Sequence, residues 1–204
     1  PISSIEYVLP EKGEFKEAFL RDTAQMTVRE GDWLSEASLD AETVRSSSVL
    51  RNQGFYSFNK NYYFFEADTL SYPGSAILQL TINEYTRNES PRDAKPIRKF
   101  YINDVAITYP KSLKFRDKVL RDLTTIYPGQ VYSADQINRT YSRLSALKVF
   151  SSVNIGMTQT DTNLVDCSIW LAQSKLQGFK VNLEASINST GLFGVSPQLS
   201  YFHK

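Results

Sequence analysis

The chain has 204 residues, 41% hydrophobic and 22% charged, with 23 basic against 22 acidic side chains and a formal charge of +1. This is globular composition, and the near-neutral balance excludes the basic face a nucleic-acid binder needs, so no nucleic-acid partner is expected. The single cysteine, Cys167, excludes an internal disulfide, and no apolar run approaches the roughly 18–20 residues of a membrane-spanning helix.

In PISSIEYVLP, Ile5, Tyr7 and Leu9 fall on one side of an extended segment that Pro10 ends. EFKEAFLRDTAQM then places Phe15, Ala18, Phe19 and Met26 at spacings that suit one helical face. A second helix is expected over LDAETVRSSSVLRNQ, with Asp40 as its N-cap and Gly54 as its left-handed terminator. FYSFNKNYYFFEAD (55–68) and AILQLTINEY (76–85) read as strands, joined by a Pro-Gly turn. Aromatics fall on both faces of the first of these, at Tyr62, Tyr63, Phe64 and Phe65.

After the polar stretch TRNESPRDAKP, the same order begins again. RKFYINDVAITYP alternates, with its parity slipping near Asn103–Asp104, so a β-bulge is expected there. Val119, Leu120, Leu123 and Ile126 suggest a helical face closed by Pro128-Gly129. Ser133 and Gln136 have capping-box spacing, followed by a stripe of Ile137, Tyr141, Leu144 and Leu147. Two strands follow, carrying Val153, Ile155 and Met157, then Val165, Cys167, Ile169 and Leu171. Beyond them, Phe179, Val181, Leu183, Ala185 and Ile187 alternate with polar residues, and a Ser-Thr-Gly turn leads to a partner strand with Leu192, Val195, Leu199 and Tyr201.

One feature repeats closely. Leu50, Gly54 and Tyr56 lie 94 residues before Leu144, Lys148 and Phe150, a constant offset across a helix end and the next strand's entry. An internal duplication accounts for it.

The repeated strand–helix–helix–strand–strand order, with Leu-x-x-x-Gly-x-aromatic at Leu50, Gly54 and Tyr56, resembles the polypeptide-transport-associated (POTRA) domain of the BamA/TamA family of outer-membrane assembly proteins. Tyr127-Pro-Gly-Gln-Val-Tyr132-Ser133, with Thr140, Tyr141, Leu144, Leu147, Phe150 and Val153, resembles the domain nearest the membrane, in a Bacteroidetes-like form. Gly178-Phe179 through Gly191 and Gly194 to Tyr201 is similar to the first strands of that family's barrel. The chain departs from the family pattern at Pro10 and Pro110, where a glycine commonly follows the first strand, and at Lys148.

The resemblance implies an α+β fold of two tandem β-α-α-β-β domains, each a small three-stranded mixed sheet covered by two helices. Their expected extents are 1–88 and 98–174, with a linker at 89–97 and a hairpin from a truncated barrel at 175–204. It also implies periplasmic placement in a protein held in the outer membrane by a C-terminal barrel, with unfolded outer-membrane clients and accessory assembly proteins as partners. Clients would add as a strand to the second strand of each domain, here 57–66 and 151–158. The candidate residues are therefore Phe58, Tyr62, Phe64, Ser152, Val153, Asn154, Ile155 and Met157.

The residues themselves offer little chemistry. His203 is the only histidine and is the penultimate residue, without a ligand cluster. Cys167 alternates with Val165 and Ile169 as a small core residue would. No catalytic, cofactor or metal residues are expected. Two other readings compete: a secreted carbohydrate-binding module using Trp33 and Trp170, and POTRA domains serving two-partner secretion.

Overall fold

The computed structural model describes residues 1–11, 13–70, 73–110, 116–173, 177–187 and 193–203. Two units of the same design follow one another. The first contains β1 (Ile2–Val8), α1 (Glu14–Thr23), α2 (Glu36–Asn52), β2 (Tyr63–Asp68) and β3 (Ala76–Ile82). The second contains β4 (Tyr101–Thr108), α3 (Asp117–Leu123), α4 (Ala134–Ala146), β5 (Phe150–Gln159) and β6 (Leu164–Gln173). A hairpin of β7 (Gln177–Ile187) and β8 (Phe193–His203) ends the described chain.

Each unit is a mixed sheet with its last strand in the middle, in the orders β1-β3-β2 and β4-β6-β5. The first strand pairs parallel to the middle strand and the second antiparallel. A parallel pair needs a crossover connection, and the helix pair provides it. The middle strands have the strictest patterning: Ala76, Leu78, Leu80 and Ile82 are buried in β3, and Val165, Cys167, Ile169 and Leu171 in β6. The expected bulge is present, as a register shift between Ile102 and Val105.

Each unit has its own core. Phe15, Phe19, Phe55, Phe58 and Tyr63 dominate the first, and Phe100, Tyr132, Leu144 and Phe150 contribute to the second. The two helix pairs are tied differently. In the first, Arg45 reaches Asp22 at 2.9 Å and Glu42 at 2.6 Å. Ser46 donates to Asp22, while the Thr27 backbone amide and hydroxyl donate to Glu42 at 2.9 and 2.6 Å. In the second, neutral groups tie α4 to the loop that follows α3: Thr125 N–H donates to the Thr140 hydroxyl at 3.0 Å, and Gln130 donates to Gln136 at 2.6 Å.

The structure corrects several local expectations. The second helix starts at Glu36 with Ser35 in the N-cap position, so Asp40 lies inside it and pairs with Lys60 instead. The strand expected over 55–68 begins only at Tyr63. Ahead of it, Phe58 N–H turns back to the Phe55 carbonyl, and the Asn59 side chain accepts from Asn61 N–H, which winds a helical turn over Lys60–Tyr62. The capping box does not form, because Ser133 caps no amide of its own helix and Gln136 is engaged by Gln130. Val119 and Tyr141 are exposed, and Thr140 takes the buried place beside Leu144. The Ser-Thr-Gly turn at 189–191 lies outside the described residues.

Candidate functional site

A small open sheet leaves its outer strands with backbone amides and carbonyls unpaired on one side. Here those strands are β1 and β2 in the first unit, and β4 and β5 in the second. The chain caps the start of both first strands with its own helix–helix loop. Ile2 N–H donates to Asp32 and Gly31 N–H to Ile2, both at 2.8 Å. Correspondingly, Ile102 N–H donates to Gln130 at 2.8 Å and Gly129 N–H to Ile102 at 2.7 Å. Gly31 and Gly129 have φ of 92° and 84°, backbone that glycine adopts without strain. The second strands, β2 and β5, carry no such loop among the described residues.

The two second-strand edges are not equivalent. β5 runs for ten residues. Ser152 and Asn154 are exposed on it, Ile155 and Met157 are half-buried against the second core, and Val153 is buried. Its outer sheet face carries Gly156, and the Trp170 ring from β6 lies over it, 2.7 Å from where a Cβ would stand. A strand glycine covered by a neighbouring aromatic regains the packing it lacks. β2 is shorter, at six residues. Of the residues expected on it, only Phe64 is in the strand. Tyr62 lies in the preceding helical turn, and Phe58 is 1% exposed within the first core.

Moreover, β2 is partly occupied by residues that follow β3. Arg87 N–H donates to the Asn61 carbonyl at 3.0 Å, and Arg87 Nε donates to the Tyr63 carbonyl at 2.9 Å. The same guanidinium lies 5.9 Å from the Phe64 ring centre, and Tyr85 meets that ring edge-on at 5.8 Å. Nothing in the sequence marks this contact, since local pattern does not say where a polar segment folds back.

Between the units is a dense joint. Tyr56 leaves the first unit and packs edge-on against Phe100 and Tyr132 at 5.5 and 5.0 Å, and its hydroxyl donates to the Met157 carbonyl at 3.3 Å. The Gly54 carbonyl accepts from Phe100 N–H at 2.9 Å, and Arg51 donates to the Tyr132 hydroxyl at 3.2 Å. Asn52 accepts from Asp135 N–H at 2.8 Å, capping α4 from the other unit and replacing the expected Ser133 cap. Gly54 has φ of 109°, and a Cβ there would stand 2.7 Å from Val131 Cγ1. The glycine of the repeated motif is thus required by the joint as well as by the helix end.

Little here is chemically reactive. Burial pushes the Cys167 thiol up to about 11, leaving it protonated in the core. Among the described residues, no group of three or more His, Cys, Asp or Glu is placed to hold a metal ion, and no helix is long and apolar enough to cross a membrane. In the hairpin, Val181 pairs with Leu199, and both stay exposed together with Tyr201.

Residues 100–169 match the POTRA family, described as surface antigen variable number repeat. Among solved structures, the chain is similar to BamA from Haemophilus ducreyi lacking POTRA domains 1–3, with a TM-score of 0.64 at 13% identity, over 98% of this chain and 34% of that one. It is also similar to POTRA domains 3–5 of Haemophilus influenzae BamA, with a TM-score of 0.54 at 14% identity, over 84% of this chain and 61% of that one. At these identities the likeness is one of fold. No curated protein matches the chain.

Proposed function

Because residues 100–169 match the POTRA family and the fold is similar to that of BamA's POTRA region, we propose that the chain serves outer-membrane protein assembly as the periplasmic docking arm of a longer protein. Its clients are unfolded barrel segments, taken up as an added strand. Main-chain hydrogen bonds supply the affinity in that mode, so one edge serves many sequences. The observation that carries the reading is β5: ten residues along an outer strand, with its half-buried Ile155 and Met157 beside exposed Ser152 and Asn154. This is a docking role that asks no chemistry of the chain.

The hairpin fits the same reading as the opening of a barrel. Strands of eleven residues are long enough to cross a bilayer when tilted, and exposed Val181, Leu199 and Tyr201 suit a lipid-facing side. An isolated two-stranded sheet is marginal in water, which favours continuation into further strands. The accessory proteins of such an assembly, and the domain extents 1–88 and 98–174, belong to this proposal. A sugar-binding platform is disfavoured, because Trp33 and Trp170 lie on different units.

The test is titration of an extended barrel-strand peptide into the full isotope-labelled chain, followed by amide shifts. Shifts concentrated on residues 151–158 support docking at β5. Shifts spread evenly over both units, or absent from β5, overturn it.

A further inference from the structure

The contacts on β2 go beyond incidental packing. The segment after β3 does three things where the chain enters the strand edge. It gives a backbone amide to the Asn61 carbonyl, in the helical turn just ahead of the strand. It gives a side-chain donor to a second, at Tyr63. It also places an aromatic ring and a cation on Phe64. The last two occupy what an added strand would use: an edge carbonyl and the side chains packed over the pleat.

The segment is itself held in shape. Thr86 N–H is accepted by Glu89 Oε2 at 2.8 Å, Glu89 N–H returns to the Thr86 carbonyl at 3.0 Å, and Lys95 N–H donates to the Glu84 carbonyl at 2.8 Å. It is a folded turn on the first unit, where the composition of TRNESPRDAKP suggested a plain spacer. Arg87 nevertheless stays exposed, so its hold on β2 consists of a few contacts at the solvent boundary, which a competing strand can displace.

We propose that Tyr85–Arg87 is an intramolecular latch on the start of β2, which covers the first unit's edge there, and that it is displaced by an extended segment presenting an aromatic residue and, two positions on, an arginine or lysine. The inference rests on the strand-addition reading given above for the client class, and it deepens that reading by assigning the two edges different selectivity. The neighbouring groove supports this occupant. It opens between α2 and β2 with a volume of about 480 Å³, and Leu34, Leu39 and Phe65 share its lining with more numerous polar side chains, among them Glu36, Asp40 and Lys60. An incoming strand that lifts Arg87 away can set a side chain into that space. Its cation would take over the Tyr63 carbonyl and the Phe64 ring. A strand with acidic residues at those positions would leave both unsatisfied and would not displace the latch.

Two measurements on the full chain test this, one of them without any client. First, amide exchange is compared between wild type and the double variant Tyr85→Ser/Arg87→Ala. The residue-87 amide is expected to be protected in wild type and to exchange at least tenfold faster in the variant, with β3 protection unchanged. An unprotected residue-87 amide in wild type means there is no latch, and the proposal is overturned. Second, two extended peptides of one backbone are titrated, one with Tyr-x-Arg and one with Tyr-x-Glu at its centre. In wild type, both should shift β5 amides, and only the Arg peptide should shift residues 63–68. In the variant, both should reach 63–68. Equal shifts at 63–68 from both peptides in wild type overturn the selectivity. Shifts on β5 with none at 63–68 in the opened variant overturn β2 as a docking edge. A protected residue-87 amide with no shifts from either peptide anywhere overturns client docking itself, and with it the competition, while leaving only a structural contact at Arg87.

Discussion

The two units place the same backbone corner in different company. In the first, Gly54 and Tyr56 emerge from α2 into a joint with Phe100, Val131 and Tyr132. In the second, 94 residues on, Lys148 occupies the glycine position with φ of 55°, and Phe150 turns into its own core. The same offset relates Glu42 to Gln136 and Ser46 to Thr140, so positions that join an ionic tie to α1 in one copy hold the helix to its preceding loop through neutral groups in the other. The copies keep a backbone conformation and a polar position. What fills each is decided by neighbours outside the repeat.

The strongest way to break this comparison is at Arg45. Asp22 and Glu42 are 5% and 3% exposed, and Arg45 is the cation that joins them. Truncation would leave two buried carboxylates without their partner, which costs about 3–5 kcal/mol. Arg45→Ala should therefore unfold the first unit at markedly lower urea. Gln136→Ala, at the neutral counterpart, should cost about 1 kcal/mol, the worth of an ordinary hydrogen bond. Equal losses at the two sites would mean the ionic tie has no special weight.

Next in size is Gly54→Ala. It combines a positive φ with a Cβ 2.7 Å from Val131, so strain and overpacking add to about 3 kcal/mol. The loss should appear at both units, because the residue serves a helix end in one and packs on the other. Scattering from the full chain should also show a broader distribution of inter-unit distances. A loss confined to the first unit, with unchanged scattering, would show that the glycine serves only its own helix.

The joint also shows what the sequence could and could not disclose. The strand-helix-helix-strand-strand order, the bulge near Asn103 and the middle strands were legible, because each is written in a period of two or in a turn residue nearby. Asn52 as a cap for α4, and Arg87 as a clamp on β2, join residues with no common local pattern. Ser46 is a polar residue at a buried position of α2, because its hydroxyl meets Asp22 across the helix pair. Phe58 and Tyr62 were placed on an edge because 55–68 read as one strand and the family resemblance makes the second strand an edge. Alternation cannot register a one-turn helix interposed by Asn59. Of the candidate site, the β5 stretch was therefore visible and the partly covered state of β2 was not.

Acidification should separate the units more gently. Burial alone would raise the Glu42 pKa, but hydrogen bonds from Arg45 and Thr27 outweigh it and hold the carboxyl below its ordinary value of 4.5. With the folded pKa depressed, the unfolded chain takes up the proton first. The stabilisation is complete above the unfolded pKa and is lost as pH falls through the folded one. Amide exchange should accordingly rise earlier in the first unit than in the second as pH drops below about 4.5, since Gln136 carries no proton to gain. Simultaneous loss in both units would place the acid-sensitive groups elsewhere.

The smallest expected effect is Lys148→Gly. A lysine at φ 55° sits in the left-handed region, where a side chain costs about 1–2 kcal/mol of backbone energy. Glycine removes that strain but gives the unfolded chain more freedom, which offsets about 0.4–1 kcal/mol. The net change should be stabilising and below about 1 kcal/mol by urea unfolding, opposite in sign to Gly54→Ala. That opposition follows from the packing: at Gly54 the space a side chain needs is filled by the next unit, and at Lys148 the chain already holds one. If Lys148→Gly instead destabilises by 2 kcal/mol or more on the same scale, the lysine side chain is itself bound, and the second corner is a joint in its own right.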